Sequence, residues 1–242
     1  MPEYVFLTLL FTVAVLAGAV ASISGFGIGS ILTPLMALQS GIKIAVAAIS
    51  IPHVIGSALR LWILKGHVNK KLLVSFGIAS AVFGLLGAVL HSFASGKALS
   101  VVFGALLVLT GVSSLAGIYE RFRPNRATAW IAGGLSGILG GLVGNQGGIR
   151  TAALLGFNIP RDALVATATA IALAVDLGRV PVYLVVNGTD LFEWRMYIAV
   201  ALARVAVGTL FGARLLVRIP QRVFEWVVAL LVIVLGVYMI VK

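Results

Sequence analysis

Cysteine is absent from the 242-residue chain, which excludes disulfide bonds and thiolate-bound metals. Acidic residues are scarce: there are 7 Asp and Glu against 18 Lys and Arg, and charged residues make up only 10% of the chain. A soluble domain carries about 25% charged residues. The sequence also lacks the HExxH and GxSxG motifs and a pair of carboxylates on one helix face. We therefore expect neither an enzyme nor a protein that holds a metal ion or another cofactor.

The chain is predominantly hydrophobic: 61% of its residues are hydrophobic and the mean hydropathy is +1.14. A transmembrane helix needs about 20 apolar residues. We predict an all-α integral membrane protein with ten apolar segments, of which the second and the seventh are too short to span a bilayer comfortably. The N-terminal sequence MPEYVFLTLL has no basic residue, so we interpret it as the first membrane helix rather than a cleaved signal peptide. The segments are roughly residues 4–24, 28–41, 44–64, 72–91, 98–118, 127–143, 147–158, 163–186, 196–216 and 223–241.

The net charge of +11 would suggest a nucleic-acid partner in a soluble protein, but here we expect none. The basic residues fall in short loops, where they set the membrane topology and contact anionic lipid. With ten crossings and the N-terminus outside, ten basic residues lie in cytoplasmic loops and four lie outside, which fits the positive-inside rule. The cytoplasmic set is Lys65, Lys70, Lys71, Arg121, Arg123, Arg126, Arg161, Arg214, Arg218 and Arg222, and the outside set is Lys43, Lys97, Arg195 and Lys242. If both short segments were re-entrant, residues 65–71 and 214–222 would lie on opposite sides and the bias would largely vanish.

The two halves of the chain resemble each other. The stretch GFGIGSILTPLMAL at 25–38 corresponds to GNQGGIRTAALLGF at 144–157. The helices that follow align so that Arg60 falls on Arg179, and later Gly111 falls on Gly236. The offset between matching residues is about 118 early in the repeat and 125 later, which fits one longer loop.

This duplication predicts a first repeat at residues 1–118, a basic cytoplasmic linker at 119–126 and a second repeat at 127–242. Five crossings in each half would make the second repeat inverted relative to the first. Inverted repeats with interrupted helices are typical of secondary transporters, whose substrate site lies near the midplane of the membrane. A duplicated membrane protein without transport activity is the alternative.

Each half contains a glycine-rich motif within an apolar run. Glycine permits left-handed backbone, and irregular backbone at membrane depth is tolerated only where protein or a watery cavity satisfies it. The short segments after the motifs would then begin as new helices, whose unpaired N–H groups form an anion site. The residues predicted to form it are Ser24, Gly25, Gly27 and Ser30 in the first half, and Asn145, Gln146, Gly147 and Gly148 in the second. Close helix packing is the alternative, which we favour for Gly133, Gly137 and Gly141 because they are spaced four residues apart.

Four arginines lie inside apolar segments, where a charge is a functional-site hypothesis by default. Arg60 and Arg179 occupy matched positions, so we predict that their guanidinium groups clamp an oxyanion. The alternatives are that Arg60 extends to the membrane interface and that Arg179 pairs with Asp176. Arg150 directly follows the second motif and is predicted to face the substrate or the other half. Arg204 has no charged counterpart, so we expect a structural or interface role for it.

Two further residues are candidates for carrying a coupling proton. His53 precedes Arg60 by seven residues and shares its helix face, and Asp176 is the only carboxylate deep in an apolar segment. A packing hydrogen bond is the alternative role for His53. We expect His67 and His91, which lie at segment ends, to sit at the membrane interface.

The doubled pattern resembles the TauE/SafE family of sulfite exporters, the four-toluene-sulfonate-uptake-type permeases. The resemblance covers nearly the whole chain and rests on GFGIGSILTPLMAL followed by GIKIAVAAIS, and on GNQGGIRTAALLGF followed by IPRDALVATATA. It implies export of a small sulfur oxyanion or organosulfonate, such as sulfite or sulfoacetate, across the bacterial inner membrane, and it is compatible with proton coupling and a homodimer. The chain departs from the family pattern at GFGIGS, which lacks a full glycine triplet, and at Ala152 and Ala153, where the first half has Thr33 and Pro34.

We therefore predict a secondary transporter that exports a small anion by alternating access, with one half rocking against the other around a midplane site. Helix N-termini after Gly27 and Gly147 would supply N–H donors, and the arginines would balance the charge. An anion channel and a membrane scaffold without transport are the alternatives. A channel would show conductance without saturable flux, and a scaffold would show no thermal shift with any oxyanion.

Overall fold

The computed structural model describes residues 2–117, 126–216 and 221–241, and every regular element in these ranges is helical. Most of the predicted linker 119–126, and with it Arg121 and Arg123, lies outside the described residues, as do Arg218 and Lys242. The helices are α1 (Glu3–Ser24), α2 (Ile28–Leu64), α3 (Lys70–Leu72), α4 (Ile78–Phe93), α5 (Gly96–Leu115), α6 (Arg126–Val143), α7 (Gly147–Leu155), α8 (Arg161–Glu193), α9 (Arg195–Leu216) and α10 (Gln221–Val241). A π-helical stretch, Leu73–Gly77, joins α3 to α4.

Six stretches of described helix are long and apolar enough to cross a membrane. Two shorter apolar helices, Ala127–Val143 and Glu225–Val241, accompany them. The six are Glu3–Ser24, Ile28–His67, Lys70–Phe93, Gly96–Leu115, Arg161–Glu193 and Arg195–Gly212. The lengths and composition of these helices are those of a multi-pass membrane protein, as the hydropathy predicts.

The second and third predicted segments are joined without a loop in α2, a stretch of 37 residues in which two helices meet at a kink. Gly41 interrupts its helical geometry with φ 75° and ψ 162°, so the helix is kinked close to the predicted boundary. Pro34 and Pro52 also lie inside α2, and each lacks the N–H that an interior helical residue donates. Glycine suits the kink because an L side chain rarely adopts a positive φ.

Both glycine-rich motifs are helix breaks. Helix α1 ends at Ser24, and Gly25 follows in the left-handed region with φ 77°. Helix α6 ends at Val143, and Gly144 follows with φ 73°. The N–H of each left-handed glycine donates at 3.0 Å to the carbonyl four residues earlier, Ala21 or Gly140. A left-handed glycine is a common way to end a helix, so the same local geometry terminates α1 and α6.

Helices from opposite halves of the chain pack side by side through glycine. Helix α1 contacts α9, where Gly208 lies against the Val15 carbonyl and Gly212 lies against Ala19. The contacts advance in the same direction along both helices, so α1 and α9 run parallel.

Helix α6 packs on α4 and the π-helical stretch in the same manner. A Cβ added to Gly137 would lie 2.3 Å from the Ser80 carbonyl oxygen, and one added to Gly141 would lie 1.9 Å from that of Gly84. Gly133 likewise lies against Phe76, where a Cβ would come within 2.6 Å of the carbonyl oxygen. The packing role predicted for this glycine series is confirmed, and these contacts also advance in parallel.

Helices α5 and α10 pack in the opposite sense. Gly104 lies against the Gly236 carbonyl, whereas Gly111 lies against the Ala229 carbonyl. Because the residue number rises on one helix while it falls on the other, α5 and α10 run antiparallel. The halves also meet where α2 packs on α8 and α9. Helices α2 and α8 contain most of the buried charged residues that the structure describes.

Candidate anion-binding site

The two helix breaks lie against each other. The Ser30 hydroxyl, at the start of α2, donates at 3.1 Å to Oδ1 of Asn145 in the second break. A Cβ added to Gly29 would lie 2.7 Å from the Gly144 carbonyl oxygen, and one added to Gly147 would lie 2.3 Å from Cβ of Phe26. No side chain caps the first turn of α2 or of α7. The geometry thus brings together the starts of the two helices predicted to bind an anion.

Arg60 and Arg179 bind matching carbonyl groups at the two breaks. The Arg60 guanidinium donates to the carbonyl oxygen of Ala21, and Nη1 of Arg179 donates to that of Gly140 at 2.7 Å. The C-terminal end of a helix has a partial negative charge, so a cation there is stabilising. Each arginine therefore stabilises the end of one broken helix, a role beside the substrate contact predicted from the sequence.

A buried carboxylate lies between two basic side chains. Oδ1 of Asp176 accepts from Nε of Arg179 at 2.9 Å and lies 2.8 Å from its Nη2, which is the pairing weighed as an alternative from the sequence. Oδ2 of Asp176 lies 2.6 Å from Nδ1 of His53. The two candidate proton carriers are therefore in direct contact, across the interface between α2 and α8.

Among the buried arginines that the structure describes, Arg150 has the most unused hydrogen-bonding capacity. Only 1% of its surface is exposed, and Nη2 donates to the Gly25 carbonyl at 3.5 Å, while Nε and Nη1 have no partner among the described residues. The Nδ2 of Asn145, both amide atoms of Gln146 and Nε of Arg60 are also buried without a partner in the part of the chain described. Buried polar groups are almost always hydrogen-bonded, so these groups have unused hydrogen-bonding capacity, and most of them are donors.

The buried charges do not cancel. We call the buried residues Arg60, Arg150, Arg179, Asp176 and His53 the cluster. Each of the three arginines interacts electrostatically with Asp176, its carboxylate. Three guanidinium groups against one carboxylate leave an excess of two positive charges when His53 is neutral. Isolated charge is costly to bury, so the cluster favours an anionic ligand.

A cavity of about 350 Å³ reaches both helix breaks from one end of the bundle. Ser24, Phe26 and Gly148 line it at the breaks, and Arg161 and Glu225 line it near the starts of α8 and α10. Arg150 is not among its lining residues, although its neighbour Thr151 is. The cavity therefore approaches the arginine cluster without including Arg150.

Comparison with known proteins gives one assignment. The family described as sulfite exporter TauE/SafE has a model that matches residues 10–239. The chain belongs to this family. No curated protein matches it. The family assignment confirms the resemblance seen in the two glycine-rich motifs, and it makes this TauE/SafE protein a membrane protein of a sulfite exporter family.

Several predicted site residues of this TauE/SafE protein shape the breaks instead of presenting free polar groups. Gly27 has a φ of 137°, and Ser24 donates its hydroxyl to the Phe26 carbonyl at 2.6 Å. Gly148 lies against Thr110 of α5. Among the described residues, no group of three or more His, Asp or Glu side chains could hold a metal ion.

The histidines at segment ends have different environments. His67 is exposed, as expected at an interface. His91 is fully buried within the protein, with Nδ1 2.7 Å from the Leu142 carbonyl oxygen. Its position at the membrane interface stays a prediction. The side of α4 that contains His91 is covered because α6 packs along it. Arg204, for which a structural role is predicted, lies 3.4 Å from the ring centroid of Phe11.

One residue beside the cluster has no counterpart in the sequence predictions. The Tyr183 hydroxyl donates to the Gly141 carbonyl near the end of α6, and its ring lies 5.9 Å from the Arg179 guanidinium. Tyr183 follows Arg179 by four residues, and this spacing puts both side chains on one face of α8. That spacing is the signal in the sequence that could have identified it.

Proposed function

We propose that this TauE/SafE protein is a secondary transporter that exports a small sulfur oxyanion, such as sulfite or a C2 organosulfonate. The observation that carries the proposal is the group of buried, unpartnered donors of Arg150, Asn145, Gln146 and Arg60. An oxyanion offers several acceptor oxygens, and guanidinium groups present a fork of donors that fits them. The excess positive charge of the cluster favours the same class of ligand.

We further propose that residues 1–118 and 127–242 are inverted repeats that rock around this site. The contacts between helices support it, because they correspond under exchange of the halves at the offsets seen in the sequence. The contact of Gly104 with Gly236 is matched by the contact of Gly111 with Ala229. An offset of 125 residues converts Gly104 to Ala229 and Gly111 to Gly236. The antiparallel course of α5 and α10 supports inversion, since equivalent helices of repeats in the same orientation would run parallel.

The export direction is supported by the position of the cavity. It opens where Arg161 and Glu225 lie, near the starts of α8 and α10. By the positive-inside rule this end faces the cytoplasm. An anion from the cytoplasm would enter the cavity, reach the helix breaks and leave on the other side after the halves rock. We propose that this transporter resides in the bacterial inner membrane. That it forms a homodimer stays a prediction from the family resemblance.

Proton coupling is proposed for the pair formed by His53 and Asp176. A proton that neutralises Asp176 would release Nε and Nη2 of Arg179, which the carboxylate now engages. The released guanidinium could then contact the anion. Proton and anion would therefore favour each other's binding, because the proton adds to the positive charge of the cluster and the anion offsets it.

Replacement of Arg150 by Gln tests the site directly. We expect purified R150Q to bind sulfite about 10- to 150-fold more weakly, because a hydrogen bond to a charged group contributes about 1.5–3 kcal/mol. Ligand panels of sulfite, sulfate, thiosulfate, sulfoacetate and taurine, read by thermal shift and by flux in proteoliposomes, identify the preferred anion. R204Q is the matched control, because Arg204 contacts Phe11 outside the cluster.

The alternatives predict other results in the same assays. An anion channel would conduct without saturation or proton coupling, and a scaffold would bind none of the anions. Unchanged sulfite affinity in folded R150Q would remove Arg150 from the site and with it the observation on which the proposal rests.

A further inference from the structure

Phe26 occupies the boundary between the cavity and the buried arginine cluster. It lines the inner end of the cavity together with Gly148 and Thr151. On the other side its Cβ lies against Gly147, at the start of α7, where an added Cβ would come within 2.3 Å. Asn145 and Gln146, which precede α7, are 5% and 3% exposed and do not line the cavity. A ligand in the cavity therefore meets Phe26 before it meets these two amides.

Phe26 has a glycine on each side in the sequence. Gly25 and Gly27 flank it with φ values of 77° and 137°, and glycine adopts many backbone conformations that other residues do not. The hydroxyl of Ser24 donates to the Phe26 carbonyl at 2.6 Å, and Nη2 of Arg150 donates to the Gly25 carbonyl at 3.5 Å, so two side chains hold this turn. Hinge residues of gating elements are often small residues that absorb φ and ψ changes.

We infer that Phe26 is the gate on the cavity side of the anion site and limits the size of the anion that enters. This inference rests on the proposed function and deepens it by naming the residue that separates the entry cavity from the site. In the conformation described, Phe26 lies against Gly147 and closes the route. A rotation of Phe26 about its flanking glycines would open the route without any movement of α7.

The absence of cysteine makes the gate testable by single-cysteine labelling. T151C reports on the cavity and Q146C reports on the space behind Phe26. Both are labelled in inside-out vesicles with a negatively charged, membrane-impermeant methanethiosulfonate. We expect T151C to react at the same rate with and without the Phe26→Ala substitution. Q146C should react about tenfold faster after Phe26→Ala, an acceleration that corresponds to a barrier lower by about 1.36 kcal/mol.

Two controls keep the result specific. F93A removes an exposed phenylalanine at the end of α4 and should leave both labelling rates unchanged. Phe26→Leu keeps an apolar side chain of smaller size and should give an intermediate rate, so the gate remains testable if the alanine variant folds poorly. Equal Q146C rates in folded protein with the native Phe26, with Phe26→Leu and with Phe26→Ala would overturn the proposal.

The labelling outcome is independent of the anion proposal. If R150Q retained full sulfite affinity while Phe26→Ala accelerated Q146C labelling, the anion site would be wrong and the gate would stand. If R150Q lost affinity while Phe26→Ala changed neither labelling nor the uptake of larger organosulfonates, the site would stand and the gate would fall.

Discussion

At the scale of single residues, Asp176 determines how the buried charges are balanced. It is fully buried and contacts His53 and Arg179, which come from different helices. A buried ion pair offsets the desolvation of its charges only when its geometry is good and its other hydrogen bonds are made. Arg179 meets this condition because all of its nitrogens have partners, whereas Arg150 does not. We therefore expect the two arginines to respond differently to a bound anion.

Asp176→Asn tests this difference. The substitution leaves Arg179 without its counter-charge, and breaking a buried pair destabilises a protein by about 3–5 kcal/mol. We expect a lower melting temperature without ligand and a larger stabilisation by sulfite than in the native chain, because the anion then replaces the lost charge. The measurement is thermal unfolding of the purified protein over a sulfite titration.

Asp190→Asn is the matched control, since Asp190 is only partly buried near the end of the same helix. A D176N protein that is as stable as the native chain, or that sulfite stabilises no further, would show that Asp176 does not balance the cluster.

At the scale of helices, glycine sets how closely elements from the two halves approach. Gly141 lies so near the Gly84 carbonyl that an added methyl group would come within 1.9 Å of the oxygen. Helix association in membranes depends on such close contact, because lipid is as apolar as the helix surface and provides no hydrophobic driving force. The same packing recurs between α1 and α9, where Gly212 lies against Ala19.

Gly141→Ala should therefore separate α4 from α6. Overpacking of a close contact costs about 1–3 kcal/mol, and we expect a loss of stability in this range by urea or thermal unfolding in detergent. Gly188→Ala is the matched control on α8, because a Cβ there would meet nothing within 4 Å. Equal stability of the two variants would mean that the α4 and α6 contact is not tight.

The sequence predicts local features of these helices well and long-range contacts poorly. Both breaks, the glycine packing of α6 and the pairing of Arg179 with Asp176 follow from spacing within one helix. The contact of His53 with Asp176 joins residues 123 positions apart, and no local pattern encodes it. The sequence predicts that His91 ends an apolar run, but it does not predict the burial of His91, which depends on packing against α6 from the other half. The kink of α2 at Gly41 lies at the predicted boundary between the second and third segments, and it bends the chain there without a loop.

At the scale of the whole molecule, hydrogen bonds near the helix ends show which ends lie together on one side of the bundle. The Asn69 N–H donates at 2.9 Å to the Thr167 hydroxyl, which joins the loop after α2 to the first turns of α8. The Tyr197 hydroxyl donates at 3.0 Å to Glu3, which joins the starts of α9 and α1. The first group contains the predicted cytoplasmic residues Lys65 and Arg161, and the second contains the predicted outside residue Arg195.

This grouping predicts a labelling pattern for single cysteines at exposed positions. With ten crossings, Gly66→Cys and Asp162→Cys react from the cytoplasmic side, because both lie in basic loops. A cysteine at position 66 should not disturb the structure, because a Cβ there meets nothing within 4 Å. Thr189→Cys, near the end of α8, reacts from outside under either topology and is the control for sidedness. If the short segments were re-entrant, position 66 would react from outside while position 162 still reacted from inside. That outcome would place the two halves in the same orientation, in conflict with the antiparallel course of α5 and α10, and alternating access by inverted repeats would have to be abandoned.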